Sequence, residues 1–269
     1  MVFADLFFIY FFLPLCLICY FAAKKLETKN KVLIVFSLIF YAWGEPIWII
    51  LLLFSAAFNW IMGMHIGANR NKPRGKIFIA TAISVDILLL LIFKYTGFFA
   101  ETFNGIFHAS IPVPQIALPI GISFYTFQAI SYVLDCYWEN VKPQRQFSKF
   151  LLYLSLFPQL IAGPIVRYSV VEQEVSKRRV TATDLSEGAL RIIVGLAKKV
   201  IIANNLYAIV TQFFGQDIST LSTLGTWYTV IVYSMYVYFD FSGYSDMAIG
   251  LGRMFGFHFD ENFKYPFAC

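Results

Sequence analysis

The densest cluster of residues able to do chemistry is the run Tyr238-Phe239-Asp240-Phe241-Ser242-Gly243-Tyr244-Ser245-Asp246. On a helix, Asp240 and Tyr244 stand four residues apart, as do Ser242 and Asp246, so each pair shares a face. Two carboxylates this close can do general acid–base work. They can equally cap a helix start and hold a cation such as Arg253, and spacing alone favours that structural role. Gly243 permits either a break or the close approach of a second helix. Further polar groups stand inside apolar sequence: Asp86 and Asp135, with Ser123, Tyr125, Gln128 and Gln159 as candidates to line a cavity. Ionisable groups in apolar spans cost several kcal/mol and point to function by default. For Asp86 a hydrogen bond across two helices is the plainer reading, and for Asp135 a place near a span end.

Other chemistries find no support. The histidines are His65 at a span end, His108 in a proline-rich stretch and His258 between Phe257 and Phe259. None is central in an apolar run, and no nucleophile triad, paired-histidine metal spacing or phosphate-cradling loop is present. Gly250-Leu251-Gly252 follows a membrane helix and not a strand, which argues against dinucleotide binding. Cys16 and Cys19 are one turn apart in the first apolar run and read as two small apolar residues on one helix face. Cys136 and Cys269 are single. No bound cofactor or metal is expected.

The elements that must position these groups are membrane helices. Of 269 residues, 59% are hydrophobic and 14% charged, against about one quarter charged in soluble domains. Mean hydropathy is +0.67. Leu6–Ala23, Pro46–Ala68, Gln115–Leu134 and Ile218–Phe239 carry no charge. Each approaches the length that crosses a hydrocarbon core of roughly 30 Å. The first run has no basic segment before it, and Lys24 and Lys25 follow it, as in a retained anchor. The net charge of +5 comes mostly from connectors and does not indicate nucleic acid.

Lys24–Lys31 and Arg70–Lys76 are basic, and the positive-inside rule puts both in the cytoplasm with the amino terminus outside. Two helices then lie between them, broken at Gly44-Glu45-Pro46. Val32–Trp43 is short for a crossing and borrows length by snorkelling Lys29 and Lys31. A span follows over Ile77–Tyr95 with Asp86 at its centre. Phe98, Phe99, Phe103 and Phe107 then suggest a short interfacial helix, and the chain returns through Gly121–Trp138.

Glu139–Lys149 and Arg167–Arg179 are both basic, yet only Phe150–Val166 separates them, interrupted by Pro158 and Gly163-Pro164. A re-entrant segment near 150–166 resolves the conflict, and such backbone requires a cavity or surrounding protein. A kinked ordinary span is the alternative. From Asp184, read as a cap, Leu185, Ile192, Ile193 and Leu196 alternate with Glu187, Arg191, Lys198 and Lys199. This predicts a helix on the cytoplasmic surface before the chain re-enters near Val200. A span ending near Phe239 and a small-residue helix, Ser242–Phe255, complete an all-α polytopic reading, with residues 1–269 as a single membrane domain.

Several blocks resemble the membrane-bound O-acyltransferase (MBOAT) family. They are Phe40 to Pro46, Leu118-Pro119-Ile120-Gly121-Ile122-Ser123-Phe124-Tyr125-Thr126-Phe127-Gln128, and Phe157-Pro158-Gln159-Leu160-Ile161-Ala162-Gly163-Pro164-Ile165-Val166-Arg167. Gly195 to Val200, Tyr238 to Gly256 and Glu261 to Pro266 follow in order. The blocks are most similar to the branch of alginate O-acetylation membrane proteins and more distantly to D-alanyl transfer proteins for teichoic acids. The resemblance implies an MBOAT-like fold and transfer of an acyl group, with acetyl as the expected group, from a cytoplasmic donor to a hydroxyl of an exported polysaccharide such as alginate. The donor, acetyl-CoA or another activated carrier, is left open. It implies an inner-membrane location, periplasmic acetylation partners, and a tunnel lined or supported by Ser123, Tyr125, Gln128, Gln159, Arg167, Asp240, Ser242, Tyr244 and Asp246. The family's catalytic histidine is expected beyond Cys269, so the chain resembles the amino-terminal half and is expected to be inactive alone. His258 precedes the final block and inherits no such role. The alternatives are a non-catalytic membrane scaffold or binding module and, less well supported without an inverted repeat, a transporter.

Overall fold

The computed structural model describes residues 2–70, 72–114, 116–160, 163–164, 166–215 and 222–263. All regular structure among them is helical: α1 Leu13–Ala22, α2 Leu26–Gly44, α3 Ile49–Ala68, α4 Pro73–Leu90, α5 Thr96–Phe107, α6 Ile122–Tyr137, α7 Phe147–Ser155, α8 Phe157–Leu160, α9 Tyr168–Lys177, α10 Ala182–Ala197, α11 Asn204–Phe214 and α12 Thr223–Met254. Wider π turns precede α1 (Phe8–Phe12), join α4 to α5 (Leu91–Tyr95) and join α10 to α11 (Lys198–Ala203). Among the described residues, three helical stretches are long and apolar enough to cross a membrane: Ile49–Ala68, Pro73–Phe107 and Ala182–Phe214.

Element boundaries depart from the sequence reading where backbone chemistry overrides hydropathy. Leu118 and Pro119 lie outside α6, which starts only after Gly121 at φ +77°, a left-handed conformation suited to glycine. That shortens the expected Gln115–Leu134 span, whose residue 115 lies outside the described set. The phenylalanines after Tyr95 lie on α5, which follows α4 directly through the π turn. Lys29 and Lys31 lie within α2, and the Lys29 Nζ sits 4.9 Å from the centre of the Tyr20 ring, a cation–π contact. The chain from Thr223 to Met254 is one helix with no break at Gly243. Residues 218–221 of the expected Ile218–Phe239 run lie outside the described set.

The chain forms two compact units. One comprises Ile18–Ile161 and Ile165–Lys177, and the other Met1–Leu17, Ala162–Pro164 and Arg178–Cys269.

In the first unit α3 packs on α4 and α6, and α2 on α7. Buried Asn59 donates to Asp86 Oδ1 at 3.0 Å and to the Ser55 carbonyl at 3.1 Å. Asp86 therefore ties α3 to α4, as the plainer reading expected. Asp135 is buried at the end of α6 and accepts from Asn140 at 3.0 Å. The broken segment is present: α7 ends at Ser155, Leu156 turns extended, and Pro158 stands in the first turn of α8, where a missing N–H costs nothing. All of residues 150–160 are buried.

In the second unit α10 and α12 run antiparallel and meet through glycines. A Cβ on Gly195 would lie 2.6 Å from the Gly243 carbonyl oxygen, and one on Gly188 would lie 2.7 Å from that of Gly250. Each glycine pair is seven residues apart, two turns, so both contacts fall on one face of each helix.

Candidate functional site

Each unit carries its own part of the predicted set. In the first unit, Tyr125 and Gln128 stand on α6 and Gln159 on α8, all buried. Two of them converge on Tyr153, a residue the sequence reading passed over. The Tyr153 hydroxyl donates to the Val166 carbonyl at 2.9 Å and reaches the Gln128 carbonyl at 3.4 Å. Gln159 donates its amide to the Tyr153 carbonyl. Across the break, the Phe157 N–H donates to the Ser37 hydroxyl at 3.1 Å. Side chains thus satisfy the backbone groups that the interruption frees, which is how irregular chain survives at membrane depth. The Gln128 side chain is wholly buried, and among the described residues neither of its polar atoms has a protein partner. An amide left so has donors and an acceptor to offer a polar guest. Ser123 is half-buried in the first turn of α6, and Arg167 is exposed just before α9. The structure does not bring these two into the Tyr153 cluster.

In the second unit the carboxylates are committed to ion pairs. Arg191 donates to Asp246 Oδ1 from Nε at 3.1 Å and from Nη2 at 2.7 Å, and also pairs with Glu261. Lys198 pairs with Asp246 and donates to the Ser242 hydroxyl at 3.1 Å. Lys199 pairs with Asp240. Arg191 lies between Gly188 and Gly195, and Asp246 between Gly243 and Gly250, so the ion pair stands inside the close crossing. The expected holder of these carboxylates was Arg253. It pairs instead with Asp184 at 3.5 Å and with Glu187, because two turns of α12 separate Arg253 from Asp246 along the helix. Tyr244 is buried and stacks on Phe3, ring centroids 4.4 Å apart. Asp240 and Asp246 therefore tie α12 to α10 and the turn that follows it through these ion pairs.

Helix α10 corrects a second expectation. Its cap is Thr181, whose hydroxyl accepts from the Asp184 N–H while the Asp184 carboxylate accepts from the Thr181 N–H. Asp184 is the third residue of this capping box and not the cap itself. The charged side also faces inward. Arg191, Lys198 and Lys199 pair with carboxylates of α12, and Ile192 packs on the same helix at Gly250. Of the predicted apolar side, Ile193 is exposed while Leu185 and Leu196 are half-buried. The stretch Ala182–Phe214 is long and apolar enough to cross a membrane. The His258 Nε2 lies 3.4 Å from Asp184 Oδ1, so the histidine belongs to the end of α10.

Residues 141–267 match the model of the MBOAT, membrane-bound O-acyltransferase family. That stretch contains α7 to α12, the broken segment and the glycine crossing. The chain is 37% identical over 272 residues to the "Probable alginate O-acetylase" of Pseudomonas aeruginosa, covering 99% of this chain and 52% of that protein. The chain is similar to the MBOAT family over residues 141–267. It is also 32% identical to the peptidoglycan O-acetyltransferase of Helicobacter pylori, over 97% of this chain and 55% of the relative. The teichoic acid D-alanyltransferase of Bacillus subtilis is 29% identical over 74% of the chain and 50% of the relative. The chain spans about half the length of the curated relatives it matches.

Proposed function

We propose that this chain is part of a membrane-bound O-acyltransferase that places acetyl groups on hydroxyls of an exported polysaccharide, alginate being the first candidate. The observation that carries the reading is similarity along almost the whole chain to proteins named for acyl transfer to cell-surface polymers. In such a transfer the acceptor oxygen attacks the acyl carbonyl carbon and a new C–O ester bond forms. The bond to the donor breaks with its electron pair, and the hydroxyl proton passes through a base to the leaving group. The resemblance assigns that base to a histidine beyond Cys269. The residues of this chain supply the surroundings: Tyr153, Gln128 and Gln159 line one polar interior, and Arg191, Lys198 and Asp246 brace the wall of the second unit.

The basic connectors Lys24–Lys31 and Arg70–Lys76 support a cytoplasmic donor side and an outer amino terminus in the plasma membrane. Periplasmic acetylation proteins are the partners this arrangement calls for. Deleting the gene tests the reading. Ester-bound acetyl on the exported polysaccharide is expected to fall to background in the deletion strain, and an unchanged ester content would overturn the assignment. Residues 1–269 expressed by themselves with donor and acceptor are expected to transfer no acetyl.

A further inference from the structure

The described residues of the connector between α3 and α4 are cationic and hydrogen-bonded to the helix ends. The Asn69 N–H donates to the His65 and Ile66 carbonyls at 3.1 Å, the Lys72 N–H to the Asn69 carbonyl at 3.0 Å, and the Gly75 N–H to the Lys72 carbonyl at 2.9 Å. A Cβ on Gly75 would collide with the Asn69 carbonyl, and His65 stacks on Phe78 with centroids 5.0 Å apart. Arg70 is anchored through Nη2 to the Val141 carbonyl at 3.2 Å. It borders a cavity of about 430 Å³ lined by Arg70, Lys72, Pro73 and Lys76, with no carboxylate among those residues. It also borders a cavity of about 640 Å³ that adds Lys142, Arg145 and Lys149 against Glu172 alone. Arg70 also pairs with Glu139 at 3.5 Å, whereas Lys72 and Lys76 are exposed, and such a concentration of positive charge attracts phosphate.

The turn leads onto an open helix face. From Lys76 a shallow groove runs down α4 between that helix's own rows Lys76, Ala80, Ser84 and Ile77, Thr81, Val85. At 1.5 Å per residue it is about 13 Å long, close to the roughly 15 Å of one hydrocarbon leaflet. A soluble phosphate has no use for such a groove, whereas a phospholipid has a part for each region. The groove lies on a helix apolar and long enough to cross a membrane.

We propose that this face holds one anionic phospholipid, its phosphate against Arg70, Lys72 and Lys76 and an acyl chain along the α4 groove. The site is separate from the Tyr153 cluster and does not depend on the acyl-transfer reading.

Native mass spectrometry of the detergent-purified chain, offered equal phosphatidylglycerol and phosphatidylcholine, tests it. The expected result is a phosphatidylglycerol adduct favoured about tenfold, lost in K72Q/K76Q. These two side chains are exposed and make no bond that holds the fold. Ala80→Trp fills the groove while keeping both cations in the chain and is expected to remove the adduct as well. Equal adducts on the parent chain and K72Q/K76Q would overturn the proposal. So would an adduct unaffected by Ala80→Trp. Inorganic pyrophosphate binding that K72Q/K76Q abolishes while lipid retention stays unchanged would reassign the cations to a soluble phosphate and overturn the lipid site.

Discussion

Gly195 of α10 and Gly243 of α12 meet backbone to backbone, with 2.6 Å between a Cβ built on the first and the carbonyl oxygen of the second. No heavy atom can occupy that space without parting the helices. The contact repeats two turns away at Gly188 and Gly250, and it brings Arg191 within direct reach of Asp246.

Two glycine substitutions therefore have opposite signs. Gly195→Ala gains about 1 kcal/mol of helix propensity but forces an overpacking cost of about 1–3 kcal/mol, so it is expected to lower the melting temperature. Gly105 in α5 has no atom within 4 Å of a built Cβ, and Gly105→Ala keeps the propensity gain and is expected to raise it. Thermal unfolding of both variants in one detergent checks the pair. A Gly195→Ala variant as stable as the parent would show that the crossing is looser than described.

Asp246 is the shared acceptor of Arg191 and Lys198. Asp246→Asn leaves two cations facing a neutral amide. Arg191 keeps Glu261, and its side chain is 30% exposed, so screening limits the loss to about 2 kcal/mol. A double-mutant cycle of Asp246→Asn with Arg191→Gln is expected to give a coupling of about 1 kcal/mol. Additive losses would contradict the pairing.

Ser37→Ala removes one oxygen and leaves the Phe157 N–H buried without its acceptor. The change in volume is negligible, yet the expected cost is about 1–3 kcal/mol, the penalty for an unmade buried hydrogen bond. Ser148, exposed in the first turn of α7, provides the control: Ser148→Ala is expected to stay within about 0.5 kcal/mol. Denaturant titration of the two variants separates the cases.

Tyr168 supplies a pH test. Burial pushes its phenol from 10.0 up to about 12, and Gln144 Nε2 donates to it at 2.8 Å. A raised folded-state value means that its contribution is complete below pH 10 and is lost as pH rises from 10 to 12. The alkaline fall in stability is expected to be shallower in Tyr168→Phe. An identical slope in both proteins over that window would refute the assignment.

Membrane-type helices, the broken segment and the family were all legible from sequence, because long uncharged runs, prolines and ordered motif blocks are local signals. The hydrogen bond that holds Asp86 was legible as a kind of contact, although its partner Asn59 was not. What stayed hidden were partners set by tertiary packing. Asp246 chose Arg191 and Lys198 over Arg253 because the Gly195–Gly243 crossing brings α10 alongside α12, and nothing near residue 246 encodes that. The same crossing turns the charged face of α10 inward, against the soluble-helix pattern that residues 184–199 suggest. Tyr153 went unremarked because an aromatic residue in an apolar run carries no signal until its hydroxyl is seen to meet Val166 and Gln128. Residues 264–269, where the last family block ends, lie outside the described set.

The most direct test of the central claim follows labelled acetyl through membranes that contain the gene product in its cellular form. Vesicles from cells with and without the gene are given polysaccharide acceptor and cell extract carrying the labelled acetyl donor, and label in alkali-labile ester on the polymer is counted. The account predicts ester label that requires both the gene and the acceptor hydroxyls. Equal labelling in vesicles lacking the gene would contradict it.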